Sequence, residues 1–174
     1  MSFAVRRIAT IVPGLAARPV AARATTASQA QRGYKVLTSH QAKAVSGRQG
    51  SVTTKSGALN VKLDTPTGLG GKGGPGTNPE ELFAAAYAAC FRGAMGLAQK
   101  NLKQPDLPAE TSVEGLVDLG KHDDGKLGIA AELRVAVPGW KKEEIEKLIK
   151  EAHTICPYSH ATRNNVQVKL TAVA

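Results

Sequence analysis

The chain predicts an α+β fold, because its elements run three strands, a helix, two strands, a helix and a strand rather than in strict alternation. Three observations carry this. Short stretches of alternating apolar residues sit between turn-forming clusters, as at 58–63 and 111–119. A long alanine-rich stretch over 77–101 reads as one helix with Cys90 in its middle. The stretch 140–154 repeats its apolar residues at helical spacing.

Taken in order, the first 32 residues hold Arg6, Arg7, Arg18, Arg23 and Arg32, and the first acidic residue of the whole chain is Asp64. An Arg-, Ala- and Ser-rich opening without acids matches a mitochondrial transit peptide, and Pro13, Gly14 and Arg18 interrupt the apolar run a secretory signal would need. The expectation is a leader over 1–32, a folded domain over 33–174, and a mitochondrial address in the matrix. The net charge of +9 weakens accordingly as an argument for nucleic acid. Five of the 23 basic residues lie in that leader, leaving 18 against the same 14 acidic ones, and aromatic residues are sparse. No stretch is long and apolar enough to span a membrane.

Residues 34–45 hold a first strand, and 46–50 a turn that carries one charge, Arg48. Residues 51–54 and 58–63 form a hairpin pair, with Leu59, Val61 and Leu63 alternating. The glycine-rich 65–76 is a loop. It contains Gly68-x-Gly70-x-x-Gly73, but Pro75 intervenes before the helix that a dinucleotide fingerprint requires at its third glycine, which leaves a flexible loop beside a site. The long helix begins with Asn78 as cap, Pro79 at the first helical position, and Glu80 and Glu81 in the first turn. Small residues then occupy every face, so close neighbours are expected on several sides. Residues 111–119 and 127–137 read as strands around the turn 121–125. In the second helix Ile145, Leu148, Ile149 and Ala152 form the buried face, and Pro157 stops it near Cys156. Residues 165–173 close the chain as a strand.

Two constellations bear on chemistry. His153-x-x-Cys156-x-x-x-His160 offers three metal donors bent apart by Pro157, short of the four a structural zinc site takes, and we assign no metal. The two cysteines, Cys90 and Cys156, are 66 residues apart in sequence and admit three readings: independent buried thiols, a static bridge, or a reactive pair. A mid-helix thiol gains little from the helix dipole, so a reactive one needs a cation brought to it. Arg48 is the natural donor, with Glu80 or Glu81 orienting its guanidinium. Glu80 and Cys90 lie about 15 Å apart along a straight helix, so both can meet Arg48 only if the first turn is irregular or a second chain supplies one of them. An irregular first turn after Pro79 is the expectation. The residues alone leave these thiol readings open.

GTNPEELFAAAYAACF followed by AHTICPYSHATRNNVQVKL resembles the organic hydroperoxide resistance (Ohr) family, sister to the osmotically inducible OsmC proteins. SGRQGSV and GLGGKGGPG match as well, and the likeness runs from Tyr34 to the end. Ala86, His160 and Asn164 depart from the expected Gly, Asn and Gly, and Arg92 stands where members vary. The resemblance implies an intertwined homodimer, with antiparallel sheets around the long cysteine-bearing helix. It implies a thiol peroxidase for alkyl or fatty-acid hydroperoxides, with Cys90 peroxidatic, Cys156 resolving, Arg48 activating the thiolate and Glu80 orienting Arg48. No bound cofactor is implied; the reducing co-substrate is dihydrolipoamide or a lipoylated dehydrogenase-complex subunit. Leu82, Phe83, Tyr87 and Phe91 are apolar neighbours of Cys90 along the chain and are read as substrate-binding. The competing readings are a broader OsmC-type peroxidase, an acyl-chain-binding protein with inert thiols, and a basic RNA-associated protein.

Overall fold

The computed structural model describes residues 34–173, so the leader over 1–32 lies outside the described residues. The chain divides into Met1–Ser39 and His40–Ala174, and the second unit carries all the regular structure described below.

Strand β1 (Ala42–Val45) is shorter than expected, since residues 34–41 hold no regular element. It pairs antiparallel with β2 (Ser51–Thr54), which pairs antiparallel with β3 (Asn60–Lys62). This three-stranded sheet contributes no residue to the hydrophobic core. It joins the rest of the chain through the segment after it: Leu63 is buried and bridges Thr77, and the Thr77 N–H donates to the Lys62 carbonyl.

Helix α1 (Pro79–Asn101) is continuous from its first residue, so the irregular turn expected after Pro79 is absent. Its start is well satisfied. Asn78 Oδ1 accepts from the Glu81 N–H at 2.9 Å, and the Glu81 carboxylate accepts from the Thr77 hydroxyl at 2.6 Å. Strand β4 (Ser112–Lys121) pairs antiparallel with β5 (Leu127–Ala136), as the turn between them requires. Strand β6 (Gln167–Val173) pairs with β5 in parallel, so the second sheet is mixed rather than antiparallel. The cause is the connection: α2 (Lys142–Ile155) carries the chain back along the sheet, and the next strand re-enters in the direction of β5.

The core lies between one face of this second sheet and helices α1 and α2. Leu133 and Val135 from β5 meet Tyr87, Phe91 and Met95 from α1 and Ile145, Leu148, Ile149 and Ala152 from α2. Gly115 brings β4 against α1: a Cβ there would stand 2.6 Å from the Ala84 carbonyl oxygen. A short helix unforeseen in the sequence, α3 (Pro157–Thr162), follows α2 directly, with Cys156 as the joint between them. Asn164 then takes a left-handed φ of 61°, which explains why glycine is expected there and why asparagine serves.

Candidate active site

The fold brings the two cysteines together. Cys156 Sγ lies 3.6 Å from Cys90 Sγ, both as free thiols. They differ in access: Cys90 on α1 is half-buried, whereas Cys156 is fully buried behind it in the core. Burial lifts the Cys90 thiol above its ordinary value. The backbone N–H of Tyr158, at the start of α3, favours the thiolate and pulls the other way, and the neighbouring Cys156 adds a smaller upward push. Pro157 at the first position of α3 was the sequence signal for this helix start, and hence for the Tyr158 N–H facing Cys90.

Arg48 and Glu80 also come together. Arg48 sits in a single 3-10 turn (Gly47–Gln49) whose entry residues, Ser46 and Gly47, both have positive φ. Its Nη1 and Nη2 each donate to one carboxylate oxygen of Glu80 at 2.7 Å, a fork-to-fork pair. The hydrogen bonds from Arg48 hold the Glu80 carboxyl below the usual carboxylate range, and Glu80 in turn raises Arg48. This pair is at the first turn of α1, about 15 Å of helix rise from Cys90. The groups that set Cys90 ionisation within the chain are burial, Tyr158 and Cys156, and Arg48 is absent from them. The single chain thus assembles two half-sites, sulfur pair and ion pair, at different levels of one helix.

Beside the ion pair opens a cavity of about 420 Å³, walled by Leu69, Ala84, Val117 and Leu119 with Glu80 and Glu81 at its edge. The glycine loop forms its rim and is held shut by Asp64, a residue the sequence did not single out. Asp64 Oδ2 accepts the Gly76 N–H at 2.7 Å, and Lys62 Nζ lies 3.0 Å from Oδ1. A Cβ at Gly74 or Gly76 would collide with that carboxylate, so these two glycines answer to packing rather than to flexibility. The Thr65 hydroxyl donates to the Arg48 carbonyl at 3.3 Å, tying loop to turn.

Of the apolar residues read as substrate-binding, Leu82 and Phe83 are half-buried, whereas Tyr87 and Phe91 are fully buried core and present no surface in this chain. His153 is half-buried and kept below its ordinary pKa by burial, and His160 is exposed. Among the described residues no three of His, Cys, Asp and Glu gather in metal-binding geometry. Also among the described residues, no helix is long and apolar enough to cross a membrane.

Known proteins resemble this chain in sequence and in fold. A profile of the OsmC-like protein family matches residues 70–171, a span containing Glu80, Cys90 and Cys156. The organic hydroperoxide resistance protein of Xanthomonas axonopodis pv. citri is 52% identical over 139 residues, covering 79% of this chain and 95% of that protein. The crystal structure of the organic hydroperoxide resistance protein OsmC from Legionella pneumophila superposes with a TM-score of 0.73. It is 40% identical and covers 80% of this chain and all of that one. OhrB of Bacillus subtilis superposes with a TM-score of 0.71 at 38% identity, covering 79% of this chain and 100% of OhrB. Matched across its cysteine-bearing elements in both sequence and fold, the chain belongs to the OsmC-like protein family, in its organic hydroperoxide resistance branch.

Proposed function

We propose that this protein is a cysteine peroxidase that reduces organic hydroperoxides to alcohols. The observation that carries the reading is the 3.6 Å separation of a reachable and an unreachable sulfur. Cys90 alone has access to a substrate, so its thiolate attacks the terminal oxygen of ROOH. The O–O bond breaks, ROH leaves with a proton, and Cys90 becomes a sulfenic acid. The Cys156 thiol then attacks the Cys90 sulfur, water leaves, and a disulfide forms as the gap closes by about 1.5 Å. A dithiol reduces it; we assign this to a dihydrolipoyl group on a dehydrogenase-complex subunit, itself oxidised to the cyclic disulfide.

The working unit is a homodimer. A half-buried thiol with a raised pKa needs a cation, and α1 is too straight for Arg48 of the same chain to serve Cys90. A second copy meets this need by bringing its Arg48–Glu80 pair to the sulfur, where the guanidinium stabilises both thiolate and departing oxygen. Two features support such pairing: Ala85, Ala89 and Gly93 leave an exposed small-residue stripe along α1, and the β1–β3 sheet packs on no core of its own chain. The cavity beside Glu80 then receives the alkyl group. The names of the similar proteins, organic hydroperoxide resistance proteins of Xanthomonas and Bacillus, agree with the substrate class.

Thiol titration tests the chemistry. Stoichiometric tert-butyl hydroperoxide should remove both thiols of each chain, and dihydrolipoamide should restore both. Two surviving thiols would leave an acyl-binding protein instead; restoration by thioredoxin but not dihydrolipoamide would remove the lipoyl assignment. The arginine-rich leader fits a mitochondrial matrix address, where lipoyl-bearing complexes reside. A reporter fused to residues 1–32 that stayed in the cytosol would remove that part.

A further inference from the structure

The buried hydroxyl of Tyr87 is unused by the cycle above. Tyr87 lies one helical turn before Cys90 on α1, fully buried, yet its hydroxyl is fully engaged. It stands 3.0 Å from Ser159 Oγ and 3.4 Å from Thr162 Oγ1, both buried and both on α3. Thr162 Oγ1 donates in turn to the Tyr158 carbonyl at 2.9 Å and reaches the Ser159 carbonyl at 3.2 Å. One consistent chain of donors runs Ser159, Tyr87, Thr162, Tyr158 carbonyl, with each hydroxyl giving its proton once. The rings add a second grip. Tyr158 lies 5.9 Å from Tyr87 and 6.3 Å from Phe83, centroid to centroid.

Helix α3 needs such a grip. It has six residues, too few to hold itself together, and Cys156 is the residue immediately before it. Any drift of α3 moves the resolving sulfur and the Tyr158 N–H together. We infer that Tyr87 is a positioning residue of the sulfur pair: its hydroxyl latches α3 to α1 and so keeps Cys156 within condensation reach of Cys90. The inference rests on the peroxidase reading and deepens it. Sulfenic acid at Cys90 has two fates, condensation with Cys156 or attack on a second hydroperoxide that oxidises it to sulfinic acid and releases a second alcohol. The latch sets the ratio between them.

The test uses Tyr87→Phe, which keeps the buried ring and removes only the hydroxyl, alongside Ser159→Ala, which opens the same latch from α3. Reduced full-length proteins are mixed with tert-butyl hydroperoxide, quenched at intervals with a thiol-blocking reagent and weighed by mass spectrometry. Both variants should form disulfide at least about fivefold more slowly, slow sulfenic acid formation by clearly less than that because the Tyr158 N–H moves too, and convert a severalfold larger share of the sulfenic acid to sulfinic acid at Cys90. A loss of packing alone would slow the first step as much as the second. Wild-type disulfide formation matched by both variants, with equal sulfinic fractions, would overturn the latch; so would equal slowing of both steps. A wild-type chain that forms no disulfide would overturn the peroxidase reading itself, and the latch with it.

Discussion

At the scale of single residues, the site is a contest over one proton. Burial favours the Cys90 thiol over its thiolate, and the Tyr158 N–H offsets only part of this. In the proposed dimer the rest falls to Arg48 of the second copy, and a bidentate Glu80 holds that side chain in place. Glu80 has its pKa lowered by Arg48, so the pair is complete at neutral pH and comes apart only as pH falls through that lowered value. Arg48→Ala should therefore shift the midpoint of Cys90 alkylation by iodoacetamide to higher pH and slow peroxide reduction at pH 7 by at least about tenfold. An unmoved alkylation profile would mean that Arg48 does not act on the sulfur. Arg48→Lys should recover little, because an ammonium cannot make the two-pronged contact.

At the scale of elements, close approach decides more than propensity does. Gly115 lets β4 lie on α1, so Gly115→Ala drives a methyl into the Ala84 carbonyl and should cost about 1–3 kcal/mol. Thermal melting should show a fall of several degrees; an unchanged Tm would mean the helix slides away freely. The elements themselves were largely legible. Asn78, Pro79 and Glu81 mark the start of α1, and Ile145, Leu148, Ile149 and Ala152 mark the face that α2 buries. What was not legible depends on partners distant in sequence. The alternation in β6 reads the same whether it pairs parallel or antiparallel, and α3 is too short to show a period. Asp64 carried no sequence signal for its role at the loop, because the group it accepts there, the Gly76 N–H, is backbone and leaves no trace in composition. Arg48 with either Glu80 or Glu81 was legible from the residues, whereas the choice of Glu80 and the pairing of the cysteines came from the family motif; the separation of Glu80 and Cys90 along α1 followed from helix rise alone.

For the whole molecule, the single chain looks unfinished, with a sheet lacking a core and a cation at the wrong level of the helix. If each site takes Cys90 from one copy and Arg48 from the other, two dead variants should rescue each other. Arg48→Ala and Cys90→Ser, refolded together in equal amounts, form mixed dimers with one intact site, giving about a quarter of wild-type activity. Equal mixtures that stay inactive would show that each chain must supply both groups.

The depth at which Cys156 lies also dictates regiochemistry on the return journey. An incoming dithiol finds only the outer sulfur within reach, so it bonds to Cys90 and expels Cys156 as leaving group, never the reverse. With Cys156→Ser, a monothiol that condenses with the Cys90 sulfenic acid, releasing water, should stay covalently attached at Cys90, and a peptide map would find it there. Evolution of a new electron donor for this protein thus requires fitting only one sulfur's surroundings.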